Sequence, residues 1–320
     1  MSLITTFRDT IYALTSCCFP NPTITIKRKK YKVINLLGEG GYSFVYLVQD
    51  ESNNQYYALK KMRCPEGALA DAMHEIEMYK LFKSEYIIPV LDTSIVTEHD
   101  GTETVYVFLP YYKRGNLQDS INANNINKTC FPEYDLLAFF LKICYAIRIL
   151  HNFHDENNVV VPFAHRDLKP GNILISDDGK TPILMDFGSV TKARIPILTR
   201  QDGLFQQDIA AEKSTLPYRA PELFDVQTGT ILDEKVDIWS LGCTLYAAAY
   251  GQNPFEASVY EMGGSLALAI LNGHYKFPIE DPYSDEFKNF IKFLLVIDSK
   301  ERPDIDQVII KLENILSNCV

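Results

Sequence analysis

Cysteine is scarce and poorly placed for a scaffold. Seven occur in 320 residues, an odd number at spacings that match no metal-ligand set. Neither a disulfide framework nor a zinc site is described, and a reduced, cytosolic setting is expected. Long apolar runs are missing as well. No stretch of about 18 apolar residues is present to span a bilayer, and Arg8 and Asp9 interrupt the continuous apolar segment that a secretory signal needs. The chain is therefore expected to be neither exported nor transmembrane. Basic charge is in deficit, 31 Lys and Arg against 41 Asp and Glu. The net charge of -10 would repel a phosphate backbone unless a basic face were segregated, so no nucleic acid is expected as a partner. One basic cluster does occur, Lys27-Arg28-Lys29-Lys30, near the amino terminus. Internal repeats and low-complexity segments are absent.

What is present is a packed core. Hydrophobic residues make up 47% of the chain and aromatics 12%, which argues against extensive disorder. From Tyr31 to Met62 the pattern is strand, glycine turn, strand, turn, strand. Apolar and aromatic residues gather at Val33 to Leu37, Phe44 to Val48 and Tyr56 to Leu59, and Asp50-Glu51-Ser52-Asn53-Asn54 is turn chemistry. An antiparallel sheet follows from this, then a helix over about Ala68 to Phe82 that carries Glu75, then more strand from Thr104 to Leu109. Beyond residue 112 the character turns helical, with Leu136, Phe140, Ile143, Ile147 and Leu150 recurring at steps of three and four among further apolar positions. More helices are predicted near Glu234 to Tyr250, Leu266 to Leu271, Glu286 to Leu295 and Ile305 to Leu316. The fold class expected is α+β: a small antiparallel β lobe with one main helix, followed by a larger α-helical lobe. Residues 152–164 read as an inserted surface loop before a short strand.

The chemistry is concentrated in His165-Arg166-Asp167-Leu168-Lys169-Pro170-Gly171-Asn172-Ile173-Leu174 and in Met185-Asp186-Phe187-Gly188. Asp167 is suited to orient a substrate hydroxyl and accept its proton, and Lys169 to place positive charge where it accumulates on a transferring phosphate. Asn172 and Asp186 offer hard oxygens to Mg²⁺, or to Mn²⁺ in its place. Such ions are bound by few protein oxygens together with nucleotide phosphates and water. Taken singly these are ordinary loop residues, and Asp-Phe-Gly can be a simple turn. In this order and spacing they are the set that phosphoryl transfer from ATP to a hydroxyl requires.

These motifs resemble those of the protein kinases, with a bilobal fold. Leu37-Gly38-Glu39-Gly40-Gly41-Tyr42-Ser43-Phe44-Val45 is similar to the kinase glycine loop, with Ser43 where the third glycine stands. Its first two glycines let backbone N–H groups approach the phosphates. Lys60, in Tyr57-Ala58-Leu59-Lys60, stands where kinases place the lysine that contacts the α and β phosphates. Glu75 is its expected partner, because Glu77 lies about 200° around the same helix. The resemblance implies Leu109 behind the adenine, Pro110-Tyr111-Tyr112 as the hinge, and Val45, Ala58 and Leu174 sandwiching the base. Ordinary core packing is the competing reading for these apolar residues. The resemblance further implies an activation segment from Asp186 to Glu222 and gives Thr215 the position from which serine/threonine kinases bond the catalytic aspartate and lysine. It also implies a buried Glu222–Arg302 ion pair, Asp237 at the start of a central helix, and protein substrates with Ser or Thr acceptors, since Lys169 is not the tyrosine-kinase pattern.

Within the kinases, Leu109-Pro110-Tyr111-Tyr112-Lys113-Arg114-Gly115, Met185-Asp186-Phe187-Gly188-Ser189 and Tyr218-Arg219-Ala220-Pro221-Glu222-Leu223-Phe224 are similar to the Numb-associated family and its myristoylated and palmitoylated branch, including fungal vacuole-membrane members. That branch implies acylation near the amino terminus, and Cys17-Cys18 fits it. Ser2 stands where myristoylation needs glycine. Leu3, Phe7, Ile11 and Leu14 recur at helical spacing and suit a membrane interface; a helix docked on the body with two inert cysteines is the alternative. The expected organisation is a membrane-targeting segment 1–30, an N-lobe 31–112 and a C-lobe 113–317. The expected location is the cytosolic face of the vacuole or Golgi, peripheral and partly cytoplasmic. The membrane partner would be reached through acylated cysteines and the basic cluster. The rival from another class is a membrane-anchored pseudokinase scaffold, which would ordinarily lack one of Lys60, Asp167 or Asp186.

Overall fold

Strand-forming sequence dominates the first 110 residues and helix-forming sequence the remainder, and the chain divides accordingly. A computed structural model describes residues 22–40, 43–65, 67–98, 100–256, 259 and 264–318. The chain forms two compact units: one of the described residues up to Lys83 with Ile88–Tyr111, the other of Ser84–Ile87 with the residues from Tyr112 on. The fold class is α+β. Cys17, Cys18 and the apolar stripe ahead of them lie outside the described residues, as do Gly41 and Tyr42 of the glycine loop.

The first unit is a six-stranded antiparallel sheet of β1 (Thr23–Ile26), β2 (Lys29–Glu39), β3 (Ser43–Asp50), β4 (Tyr56–Cys64), β5 (Asp92–Thr97) and β6 (Glu103–Pro110), in the order β1-β2-β3-β4-β6-β5. One helix, α1 (Leu69–Leu81), belongs to it. Alternation sorts the side chains onto two faces. Ile26, Tyr31, Tyr46, Val48, Leu59, Tyr106 and Phe108 form the core of one face, with Tyr31 and Phe108 rings 4.8 Å apart. The register Val45↔Lys60, Leu47↔Ala58, Ala58↔Leu109 and Lys60↔Val107 gathers the opposite face.

Sheet pairing begins at Thr23, ahead of the boundary expected at residue 31. Lys27 and Arg28 form the β1–β2 turn with positive φ of 49° and 66°, and Lys27 Nζ donates to Asp92 Oδ1 at 2.9 Å and to the Thr93 carbonyl at 2.7 Å. The basic cluster is thus the tip of a hairpin rather than part of a tail, and Lys27 is engaged within the lobe.

The second unit contains α2 (Leu117–Asn127), α3 (Glu133–His151), α4 (Arg200–Lys213), α5 (Val236–Tyr250), α6 (Leu266–Leu271), α7 (Asp285–Leu294) and α8 (Ile305–Asn318). An Asn116–Asp119 capping box starts α2. α5 is buried at every position from Val236 to Ala249. It approaches the end of α7 so closely that a Cβ on Gly242 would stand 2.9 Å from Leu294 Cβ. α3 and α5 form the interior, and the amphipathic α7 and α8 cover them.

Short strands carry the loops that matter: β7 (Phe163–Ala164), β8 (Ile173–Ile175), β9 (Pro182–Leu184), β10 (Thr191–Lys192), β11 (Ile195–Pro196) and β12 (Ile231–Leu232). The 152–164 loop closes with a His154↔Val160 bridge and leads into β7. No helix among the described residues is long and apolar enough to cross a membrane.

Candidate active site

In the first unit, Lys60 Nζ reaches Glu75 Oε1 at 2.6 Å, with both side chains largely buried. β4 presents Lys60 on the face shared with Val45, Ala58 and Leu109. α1 buries Glu75 on the stripe that includes Ala72, Ile76 and Tyr79, whereas Glu77 is exposed. The helical period thus selects Glu75. Gly38 pairs with Val45, and the Gly40 N–H donates to the Ser43 carbonyl at 2.8 Å. Phe44 departs from the expectation. Its side chain packs on the opposite face, stacked on Tyr46 at 6.1 Å, because position 44 is out of phase with position 45. Its partner Glu39 shares that face, and Leu37 is exposed beside a register shift in β2. Pro110 ends β6 opposite Tyr57, and Tyr111 closes the unit.

The second unit holds the remaining residues. Antiparallel β8 and β9 pair Ile173 with Leu184, which brings Asn172 and Met185 together at one end of the hairpin. The Met185 N–H donates to the Asn172 carbonyl at 3.0 Å, so Asn172 and the neighbouring Asp186 are set by one short hairpin. Leu174 lies within it, opposite Ile183 and bridged to Asn116. Tyr112 is half-buried, and burial with the nearby Asp177 carboxylate pushes its phenol up. Asp186 has a left-handed φ of 65°, and Phe187 behind it is fully buried against the His165 ring. His165 Nε2 donates to the Met185 carbonyl at 3.2 Å, while its Nδ1 accepts the Asp167 N–H at 3.4 Å.

Asp167 is the hub. Its Oδ2 accepts from Lys169 Nζ at 2.8 Å and from Asn172 Nδ2 at 3.1 Å, and its Oδ1 accepts the Thr215 N–H at 2.8 Å. Lys169 Nζ also donates to Thr215 Oγ1 at 2.6 Å. Beneath it the Asp237 carboxylate, wholly buried, takes the backbone N–H groups of His165 at 2.7 Å and Arg166 at 2.8 Å and the Nε2 of His151 at 2.9 Å. Desolvation pushes Asp237 upward, but the hydrogen bond and charge of His151 and the His165 contacts outweigh it and hold the carboxyl below its ordinary value.

The donor set fits a hard divalent ion shared with a nucleotide. Asn172 commits its Nδ2 to Asp167, which leaves its carbonyl Oδ1 as the ligand atom. With Asp186 this gives two oxygen-bearing side chains. No group of three or more His, Cys, Asp or Glu residues able to hold a metal occurs among the described residues. The remaining ligands of such an ion would be phosphates and water.

Residues 31–312 match the protein kinase domain family. The chain belongs to that family. It is 35% identical to serine/threonine-protein kinase ppk13 of Schizosaccharomyces pombe over 95% of this chain and 96% of that protein. It is also 35% identical to serine/threonine-protein kinase ENV7 of Saccharomyces cerevisiae, over 93% of this chain and 96% of the other. Serine/threonine-protein kinase 16 of Homo sapiens matches at 35% over 93% and 94%. The enzyme is a serine/threonine protein kinase, and the kinase reaction requires ATP with a divalent metal. The sequence reading named neither α2 nor α4, which lies between Asp186 and Glu222. The signal for α4 was Thr199-Arg200-Gln201-Asp202, whose ends form a capping box in the structure.

Proposed function

We propose that Mg²⁺·ATP, with Mn²⁺ able to replace Mg²⁺, is the phosphoryl donor of this kinase. Asp167 receives the acceptor proton, Lys169 stabilises the transferring phosphate, Lys60 fixed by Glu75 contacts the α and β phosphates, and Asn172 and Asp186 hold the metal. The observation that carries this reading is the bonded set Thr215–Lys169–Asp167–Asn172. It presents a carboxylate already oriented by three donors and flanked by one cation. Serine and threonine hydroxyls of protein substrates are the acceptors.

The finer placement is in the Numb-associated family, at the cytosolic face of an endomembrane. Palmitoyl groups on Cys17 and Cys18 supply the anchor, and the basic β1–β2 hairpin tip adds attraction to anionic headgroups. The adjacent cysteines, the apolar spacing before them and the basic cluster support this.

The test is incubation of purified protein with Mg·ATP and an array of serine, threonine and tyrosine peptides, with excess chelator and Asp186→Ala as controls. Phosphate on serine or threonine peptides, lost in both controls, is expected. Undiminished transfer in chelator, or none by the parent, defeats the reading.

A further inference from the structure

One face of α3 is left open. Asp135, Ala138, Phe139 and Lys142 follow one another at steps of three and four and so form a single stripe, yet none of them is buried. The stripe lines a cavity of about 560 Å³, a volume within the range of small-molecule sites. Phe131, Pro132 and Tyr134 around the start of α3, with Ile175 of β8, complete its apolar lining, and Arg114, Asp178, Gly179 and Lys180 line it at the β8–β9 turn. An aromatic and aliphatic wall with a few charged groups at one end is the composition of a ligand pocket rather than of a solvated surface.

The charge of that end is uneven. Lys142 Nζ donates to the Lys180 carbonyl at 2.9 Å, and the Arg114 guanidinium lies over Gly179 so closely that a Cβ there would stand 3.1 Å from Cζ. Three cations therefore gather on one turn. None of the three has an ion pair with a described carboxylate. Asp178 is committed inside the turn, where it accepts from Ser176 Oγ, from the Lys180 and Thr181 N–H groups and from Thr181 Oγ1. Asp135 lies seven residues before Lys142, about 10 Å along the helix, which is as far as a surface charge acts at physiological salt. The cavity thus pairs an apolar floor with an unneutralised basic end.

The same turn is tied to the segment that follows Tyr112. Arg114 Nε donates to the Asp177 carbonyl at 3.0 Å, the Lys113 N–H to Asp177 Oδ1 at 3.2 Å and the Ile175 N–H to the Gly115 carbonyl at 2.9 Å, while Leu174 bridges Asn116. The other end of that hairpin sets Asn172 and Met185, next to Asp186. We propose that the cavity is a regulatory site for a small apolar anion, whose aromatic or aliphatic body lies on Ala138 and Phe139 and whose carboxylate, sulfonate or phosphate is held by Arg114, Lys142 and Lys180. Occupancy tightens nucleotide binding, because an anion between the three cations removes their mutual repulsion and steadies the β8–β9 hairpin. This coupling rests on the kinase reading above; the site itself does not.

The probe is anilinonaphthalene sulfonate, whose rings and sulfonate match the two parts of the site, with uncharged anilinonaphthalene as its control. Fluorescence titrations use the full chain in saturating Mg·ADP, which keeps the probe out of the nucleotide site. The parent is compared with Ala138→Trp, which fills the cavity, and with the double variant Lys142→Gln, Lys180→Gln. One probe per chain is expected for the parent. Binding should be about tenfold or more weaker in the double variant and for the uncharged control, and absent in Ala138→Trp. Saturating probe should lower the parent's KM for ATP in peptide phosphorylation by about fivefold and leave that of Ala138→Trp unchanged. No binding by the parent, equal binding by parent and double variant, or equal binding of charged and uncharged probes overturns the site. A KM for ATP that saturating probe does not move overturns its regulatory role. If Ala138→Trp does not fold, the double variant decides both points. A parent that binds the probe but transfers no phosphate would defeat the kinase reading and leave the site standing.

Discussion

The backbone N–H of Thr215 donates to Asp167 Oδ1 at 2.8 Å, across 48 residues of sequence, so the residue two beyond the end of α4 sets the orientation of this carboxylate. The other oxygen is held by Lys169 and Asn172. Replacing Asp167 by Asn keeps an acceptor for Thr215 but removes the basic oxygen and places an amide donor against Lys169 or Asn172. Activity should fall by about 10² to 10⁴-fold, the usual contribution of a general base, in a protein that still folds. Steady-state peptide phosphorylation beside a melting curve checks it.

Thr215 contributes a hydroxyl as well as an N–H. Thr215→Val keeps the shape and the backbone donor to Asp167 but removes the Oγ1 acceptor of Lys169. A bond to a charged group is worth about 1.5–3 kcal/mol, so kcat should fall by about tenfold or more. Thr215→Ser should stay near the parent. Equal rates for Val and the parent would remove Thr215 from the catalytic machinery.

Arg302 acts on stability alone. Its side chain is fully buried, doubly bonded to Glu222 at 2.7 and 3.0 Å, and it also satisfies the Val296, Lys235 and Ile297 carbonyls. Arg302→Ala strands the carboxylate and three carbonyls, and breaking a buried pair from one side costs about 3 to 5 kcal/mol. The urea midpoint should drop accordingly. Any folded fraction should retain normal KM for ATP, which separates this loss from a catalytic one.

The sequence carried the parts of this molecule whose period or spacing is local. Glu75 could be separated from Glu77 because α1 repeats every 3.6 residues, and Asn172 and Asp186 could be named together from the order and spacing of their motifs. Three things were less legible. α4 is polar and interrupted by Gly203, so its periodicity was hidden even though its Thr199–Asp202 box was visible. β1 was hidden behind the basic residues that turn out to form its hairpin turn. Phe44 is expected both at the start of a strand and among the nucleotide-binding residues, and strand alternation turns its ring to the face opposite Val45. The contact of Gln206 with Arg166 depends on the path of α4 between residues 40 apart, which no spacing rule reports.

Acid should loosen the catalytic loop through Asp237. Burial pushes its carboxyl upward, but His151 and the His165 contacts outweigh this and hold it below the ordinary aspartate value. A depressed folded-state pKa contributes stability that is present above the unfolded value of about 3.9 and is lost as pH falls through the folded value. The share of the stability difference between the parent and Asp237→Asn that the carboxyl's own protonation controls should therefore be lost only below about pH 4. Denaturation at a series of pH values measures it. A difference that vanished already at pH 6 would mean that another group controls the loop.

Location depends on the energetics of anchoring. A single acyl chain gives marginal, reversible membrane binding, so stable attachment requires a second contribution. In the proposed anchor, Cys17 and Cys18 would carry two palmitoyl groups, and the apolar residues before them would add area buried in the membrane. The basic hairpin adds about 1 kcal/mol for each lysine or arginine close to an anionic surface. Lys27 is paired with Asp92, which reduces the electrostatic share to Arg28, Lys29 and Lys30. The acyl groups should therefore dominate. Changing both cysteines to serine should release the kinase into the soluble fraction, and changing one should release part of it. Replacing Arg28, Lys29 and Lys30 by glutamine should give a smaller, salt-sensitive effect. Peptide phosphorylation should survive in all of these variants, since none touches the Asp167 cluster. Cell fractionation beside acyl-exchange labelling measures both quantities. A double-serine protein that stayed on membranes, or a parent with no labelled cysteine, would remove the lipid anchor and leave the kinase chemistry standing.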